Sequence, residues 1–306
     1  MKQKSWLTPI LVFIVCISFL LSYQTRQSGT SLARTVEPPS VPWNIDISHI
    51  SKIEFKESSK NITAFISENE WQLLSPLQTS ADSAYIYNIL SKFSTPQLVA
   101  EVTSDVTNLA EYGIDKFSKS ITLYDTTYNN YELICGTEAS SSTYYVYSPT
   151  SGIIYTMRKE YFDSVSVTLS SWRDKDYLKF NPETTSKIKV YYNHQTYVLE
   201  PSYIEDEFSF ASTLLPQNIV DTIINFLSTT RINTFIVDEA SPSVISNYGF
   251  DKPTITISIT HTDGTDFTFS MNPSTGKSNE SYVMIKGQPN IFAVSSFQNS
   301  YLKNKT

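Results

Sequence analysis

Few residues in this chain have the type and spacing for chemistry. The histidines are His49, His194 and His261. None has a second histidine one helical turn away, and Cys16 and Cys135 form no Cys-x-x-Cys pair. Zinc is therefore not expected, and no other cofactor is indicated. Asp263 and Asp266, with neighbouring threonines, offer oxygens to a cation. Calcium wants six or more in a defined loop, so Thr262-Asp263-Gly264-Thr265 reads more simply as a hairpin turn. No Gly-x-Ser-x-Gly elbow presents a nucleophilic serine. A carboxylate pair for glycoside hydrolysis leaves no mark in linear spacing. Asp115 and Asp251 are acidic residues at matched positions. They are either paired ligand contacts or turn residues that accept backbone N–H bonds beside Gly113 and Gly249. The second reading is favoured, because a structural need recurs in both copies whether or not a function does. Trp172, Arg173 and Asp174 are the candidate partner contacts, since exposed Trp and Arg are typical of docking surfaces. The competing reading is an ordered linker with a local ion pair and Trp172 buried.

The elements around these residues come in two copies. Tyr112-Gly113-Ile114-Asp115-Lys116 reappears 136 residues later as Tyr248-Gly249-Phe250-Asp251-Lys252. Alternating segments Ile50–Phe55 and Ser186–Val190 open the copies as half-buried strands, followed by strands at Ile62–Ile66 and Thr196–Leu199. Trp71–Pro76 is matched by Phe208–Ser212. Ser80-Ala81-Asp82 starts a helix that runs to about Phe93, with Ile86, Ile89, Leu90 and Phe93 on one face. Its counterpart runs from about Pro216 to Leu227, with Ile219, Ile223, Phe226 and Leu227 inward. Gly113 and Gly249 are expected to end short helical turns, packed on the core, in a left-handed conformation. Four strands follow in each copy, at Ser120–Tyr124, Tyr131–Cys135, Tyr144–Tyr147 and Ile153–Met157, matched by Thr256–Thr260, Phe267–Ser270, Tyr282–Ile285 and Ile291–Val294. The expected outline is ββ-α-ββ-ββ, twice. The fold class is α+β, with one main helix on a twisted, mainly antiparallel sheet in each repeat.

The N-terminus adds a different element. Lys2 and Lys4 precede an uncharged run of eighteen residues, Trp6–Tyr23. As a helix this spans about 27 Å, close to a hydrocarbon core of about 30 Å. The lysines orient it with the rest of the chain outside the cytoplasm. An uncleaved transmembrane helix is the preferred reading. A cleavable signal peptide competes, with Ser31-Leu32-Ala33 as a distant site, and lipoprotein processing at Cys16 lacks a small residue at Val15. The expected organisation is a cytoplasmic tip and anchor at 1–23, a Ser/Pro-rich stalk at 24–44, a first repeat with its linker at 45–182, and a second repeat at 183–306. A net charge of −7 argues against nucleic acid as a partner. Twenty Tyr and seventeen Phe favour strands, and eight Gly leave little room for phosphate-binding loops. The cysteines imply no disulfide framework.

The order of signals resembles the bacterial domain-of-unknown-function family 4340. The residues that carry the resemblance are Trp71, Leu73 and Pro76, then Ala81-Asp82, Tyr112-Gly113-Ile114-Asp115, Tyr144-Tyr145-Val146 and Trp172-Arg173-Asp174-Lys175. It spans about residues 45–300 and is closer in the first copy. The second lacks the Trp, the Ala-Asp and the Arg-Asp-Lys. The resemblance implies a membrane-attached extracytoplasmic protein, often encoded beside transporter components of the gliding-motility type, and carries over no catalytic residue. The expected function is non-catalytic, as an accessory or interaction component of an envelope complex, with the membrane and an envelope protein as partners. A cell-wall glycan or peptide binding module is the alternative, and an extracytoplasmic hydrolase is the least supported.

Overall fold

The computed structural model describes residues 41–204 and 207–297. The expected anchor at 6–23 and most of the expected stalk lie outside the described residues. Among those described, no helix is long and apolar enough to cross a membrane.

The first repeat is a nine-stranded antiparallel sheet. Its strands are β1 (Ile50–Glu57), β2 (Lys60–Ser67), β3 (Glu70–Ser75), β4 (Thr79–Ser80), β5 (Leu98–Thr103), β6 (Ser120–Asp125), β7 (Asn130–Glu138), β8 (Thr143–Ser148) and β9 (Ile153–Arg158). Their spatial order is β4-β3-β2-β1-β6-β7-β8-β9-β5. Helix α1 (Ser83–Phe93) joins β4 to β5, and α2 (Lys159–Asp163) and α3 (Leu169–Trp172) follow β9. The second repeat contains β10 (Thr185–Tyr192), β11 (Gln195–Ile204), β12 (Glu207–Ala211), α4 (Gln217–Thr229), β13 (Ile232–Val237), α5 (Pro242–Asn247), β14 (Ile255–His261), β15 (Asp266–Pro273), β16 (Glu280–Ile285) and β17 (Ile291–Ser295). Its order, β12-β11-β10-β14-β15-β16-β17-β13, is that of the first sheet without β4.

The duplication extends to irregularities. The register slips at Ser51 between β1 and β6, and at Ser186 between β10 and β14. In each bulge the serine hydroxyl donates to two carbonyls of the facing strand, those of Tyr124 and Asp125 or of Thr260 and His261. A small hydroxyl residue thereby satisfies acceptors at the irregularity.

The expected helix faces are present. Asp82 caps α1 by accepting from the Tyr85 N–H at 2.9 Å, and Ile86, Ile89, Leu90 and Phe93 are buried. In α4, Ile219, Ile223 and Leu227 are buried as expected, and so is Val220. Phe226 is half-buried and meets Phe297 edge-on. Three features depart from the expected outline. Most of Trp71–Pro76 and of its match lies in third strands, β3 and β12. Each repeat also places a strand after its helix, β5 or β13, paired with β9 or β17 at the far edge. Both post-helix strands carry two register shifts, which destroy the alternation that reveals a strand. Finally, Trp43, expected in the stalk, is buried in the first core and donates its indole N–H to the Phe93 carbonyl at 2.8 Å.

The Tyr-Gly turns pack on the sheet face opposite the helix, not on the main core. Val283 and Ile285 of β16 point into the helix-side core. Tyr282 and Met284, alternating with them, join Ile245, Tyr248, Phe250 and Ile291 in a separate cluster. In the first repeat Tyr112 meets Tyr145 edge-on at 5.1 Å, and in the second Tyr248 meets Tyr282 at 4.8 Å. Gly113 and Gly249 are left-handed as expected, with φ of 68° and 78°. Gly136 lies under the first turn, and a Cβ there would run into the Tyr112 carbonyl oxygen. The Tyr112 carbonyl accepts from the Thr137 hydroxyl. The second turn closes differently: the Asn272 amide donates to the Tyr248 carbonyl and its oxygen accepts the Thr254 N–H.

A Cβ on Gly113 would overlap the Thr137 side chain, whereas one on Gly249 would meet only the Asn272 amide at 3.2 Å. Both substitutions strain a left-handed residue, but only the first also overpacks. Gly113→Ala is expected to destabilise by about 3 kcal/mol and Gly249→Ala by about 1 kcal/mol, measured by urea unfolding. Equal losses would contradict this account of the two turns.

Candidate functional site

The segment expected to be either a docking patch or a linker is a strap between the two cores. Trp172 has no exposed surface and lies in the first core, stacked on Phe55 at 6.3 Å and edge-on to Tyr85 at 5.4 Å. Its indole N–H donates to the Ser166 carbonyl at 2.7 Å. A docking role drew on an exposed tryptophan and arginine, and the structure turns both inward. Arg173 forms a bridge with Ala81, and flanking backbone bonds run from the Asp82 N–H to the Trp172 carbonyl and from the Asp174 N–H to the Ser80 carbonyl. The strap thus extends the pairing beside β4 and ties to the start of α1. Tyr177, Leu178 and Phe180 then pack into the second core, with Tyr177 edge-on to Phe292 at 4.7 Å.

Arg173 is the polar centre of this junction. Its side chain is 6% exposed and its Nη1 lies 2.6 Å from an Asp238 carboxylate oxygen, just past β13. Its guanidinium also sits 3.5 Å over the Phe235 ring. Nε has no hydrogen-bond partner. Asp174 turns back on the strap and accepts the Asp176 N–H, and burial raises its carboxyl pKa above the usual value. Arg231 reaches Asp176 at 3.4 Å, and the Ile232 N–H donates to the Lys175 carbonyl. Burial likewise raises the Tyr177 phenol, whose hydroxyl has no partner.

Asp115 behaves as a turn residue. Its carboxylate accepts the Phe117 N–H at 2.8 Å, while the Ser118 hydroxyl accepts its own N–H. Asp251 is exposed in the matching turn. Beside each turn lies an open cleft, bounded by the tip of the first hairpin of that repeat. The first cleft, about 260 Å³, is lined by Lys56, Lys60 and Lys116, several serines, and the carboxylates of Asp115 and Glu132. The second, about 540 Å³, is lined by Tyr191, Tyr192, His194 and Lys252. No carboxylate lines it. Sequence reasoning found the repeated motif but not these clefts, because the hairpin tips lie far from the motif along the chain. The recurring Lys116 and Lys252 were the available signal.

The remaining candidates are separate. Asp263 accepts both the N–H and the hydroxyl of Thr265, as a hairpin turn requires, and these bonds lower its pKa. Asp266 accepts from the Thr260 hydroxyl at 2.6 Å. His261 is at the end of β14, His194 at a hairpin tip and His49 just before β1. Among the described residues no three His, Cys, Asp or Glu side chains gather as metal ligands. Cys135 is buried, which pushes its thiol up to about 12, away from the thiolate a nucleophile needs.

Removing Asp238 strands a buried cation, whereas Arg173→Met keeps most of the packing and leaves a half-exposed carboxylate in water. Asp238→Ala is therefore expected to cost about 3 kcal/mol and Arg173→Met about 1 kcal/mol, read from chemical denaturation. The reverse order would show that Arg173 acts by packing alone.

No curated protein and no solved structure matches this chain. The family profile described as Domain of unknown function (DUF4340) matches residues 71–214 and 211–306. The first segment begins in β3 and runs through the strap and β10–β12, and the second begins at the end of β12. The chain accordingly belongs to the DUF4340 family, which it contains as two adjacent segments.

Proposed function

We propose that this is a non-catalytic, membrane-anchored extracytoplasmic protein that serves as an interaction component of a bacterial envelope complex, associated with a transporter. The observation that carries the reading is the strap. The Arg173–Asp238 ion pair and a strap anchored in both cores hold the repeats together, an arrangement suited to presenting one surface to a larger partner. The uncharged run Trp6–Tyr23 behind Lys2 and Lys4 supports the anchor and the orientation. The Ser/Pro-rich residues after it supply a tether. The neighbourhood implied by the family resemblance supports a transporter as the partner.

Crosslinking in intact cells, followed by capture of the full chain from gently solubilised membranes, tests this directly. The expected result is repeated recovery of a membrane subunit of one transporter. Recovery of the chain without any protein partner, or its presence in the soluble cytoplasmic fraction, would overturn the reading.

A further inference from the structure

Most of the repeated pentapeptide has a structural duty. The glycines take left-handed turns, the tyrosines pack edge-on against Tyr145 and Tyr282, and Ile114 and Phe250 are buried. Asp115 caps its turn. The closing lysines do not fit this pattern. Lys116 and Lys252 are exposed, and among the described residues no ion pair engages either side chain. The Lys116 ammonium lies 4.9 Å from the neighbouring Phe117 ring, an exposed contact of small worth. Each of these lysines nevertheless lines the cleft of its own repeat.

The clefts are equivalent in construction. In each, the wall opposite the lysine is the tip of the first hairpin, Ser58–Lys60 or Asn193–His194, where residues at positive φ turn the chain sharply. Hydroxyl residues Ser118 and Ser120 line the first floor, and Thr254 and Thr256 the second. The Ser118 hydroxyl is taken up by the Gly113 carbonyl and Asp115, and the Thr256 hydroxyl pairs with Ser270, so the ammonium is the principal donor of each cleft; in a concave site it is complementary to an oxyanion.

We propose that the two clefts are matched oxyanion sites, with Lys116 and Lys252 as the paired recognition residues. The ligand is a carboxylate or phosphate on a small carrier. The second cleft is within the size range of small-molecule sites, has no lining carboxylate, and offers the exposed ring of Tyr191 to a sugar-sized body. The first is smaller and more polar. Lys56, already paired with Glu54, and the lining Asp115 and Glu132 leave it a weaker positive field, suited to the anionic group alone. This assignment goes beyond the envelope-complex reading and does not depend on any protein partner.

The test uses the full chain in detergent micelles, with lysines reductively dimethylated with carbon-13 so that each keeps its charge and gives its own signal. Sodium phosphate and sodium glucuronate are titrated separately at constant ionic strength. Lys116→Gln and Lys252→Gln assign the two signals, and thermal unfolding confirms that both variants fold. Saturable shifts at Lys116 and Lys252, with Lys286 outside the clefts unmoved, are the expected result. Lys252→Gln is expected to leave the Lys116 response to phosphate intact, and Lys116→Gln the Lys252 response, because the clefts bind independently. A response to phosphate alone identifies phosphate as the ligand group, and a response to glucuronate identifies a sugar carboxylate. Three results would overturn the proposal: no saturable shift with either probe, parallel shifts at Lys286, or a phosphate response at only one of the two lysines.

Discussion

A guanidinium almost fully removed from water must keep a charge partner, and Arg173 finds its own 65 residues away, beyond β13. This requirement organises the junction. Trp172 anchors the strap in one core, and Tyr177 and Leu178 anchor it in the other. Between them, backbone bonds to Ser80 and Asp82 stitch the strap to the end of β4 and the cap of α1. Moving one repeat relative to the other would break the pair, lift the cation from the Phe235 ring and unseat apolar side chains from both cores. The energetic coupling is therefore concentrated in a few residues.

The sheets on either side repeat each other down to serine-filled bulges and doubly bulged edge strands. Where they diverge, the divergence is local. A Tyr-Gly turn is seated over Gly136 and Thr137 in one repeat and held by Asn272 in the other. The edge beyond β3 carries β4, whereas β12 ends its sheet. Structural constraints account for the glycine and tyrosine of the repeated motif. Its lysines remain, and each lines a cleft of its own repeat.

Much of this architecture was legible because burial imposes period. The faces of α1 and α4 and the meandering strands after each Tyr-Gly turn follow apolar spacing, and the repeat exposed itself through Tyr112–Lys116 and Tyr248–Lys252. The post-helix strands were not legible, because two slips in each break alternation over only six residues. Trp43 looked like tether because prolines surround it, and only the tertiary contact with Phe93 shows otherwise. The Arg173–Asp238 contact has no local signature at all. A Trp-Arg pair reads equally as surface or junction until the folded chain decides which side of it is dry.

The central claim is that the strap fixes the two repeats as one body. Its most direct test is the distance distribution between spin labels at Ser91 on α1 and Ser228 on α4, two exposed and corresponding positions. Both residues would be replaced by Cys in a full chain carrying Cys16→Ser, with Cys135 shielded by burial. Double electron–electron resonance on that protein is predicted to give a single narrow distance. A broad or two-peaked distribution would contradict the account, because it would mean that the repeats move about a strap that does not hold them.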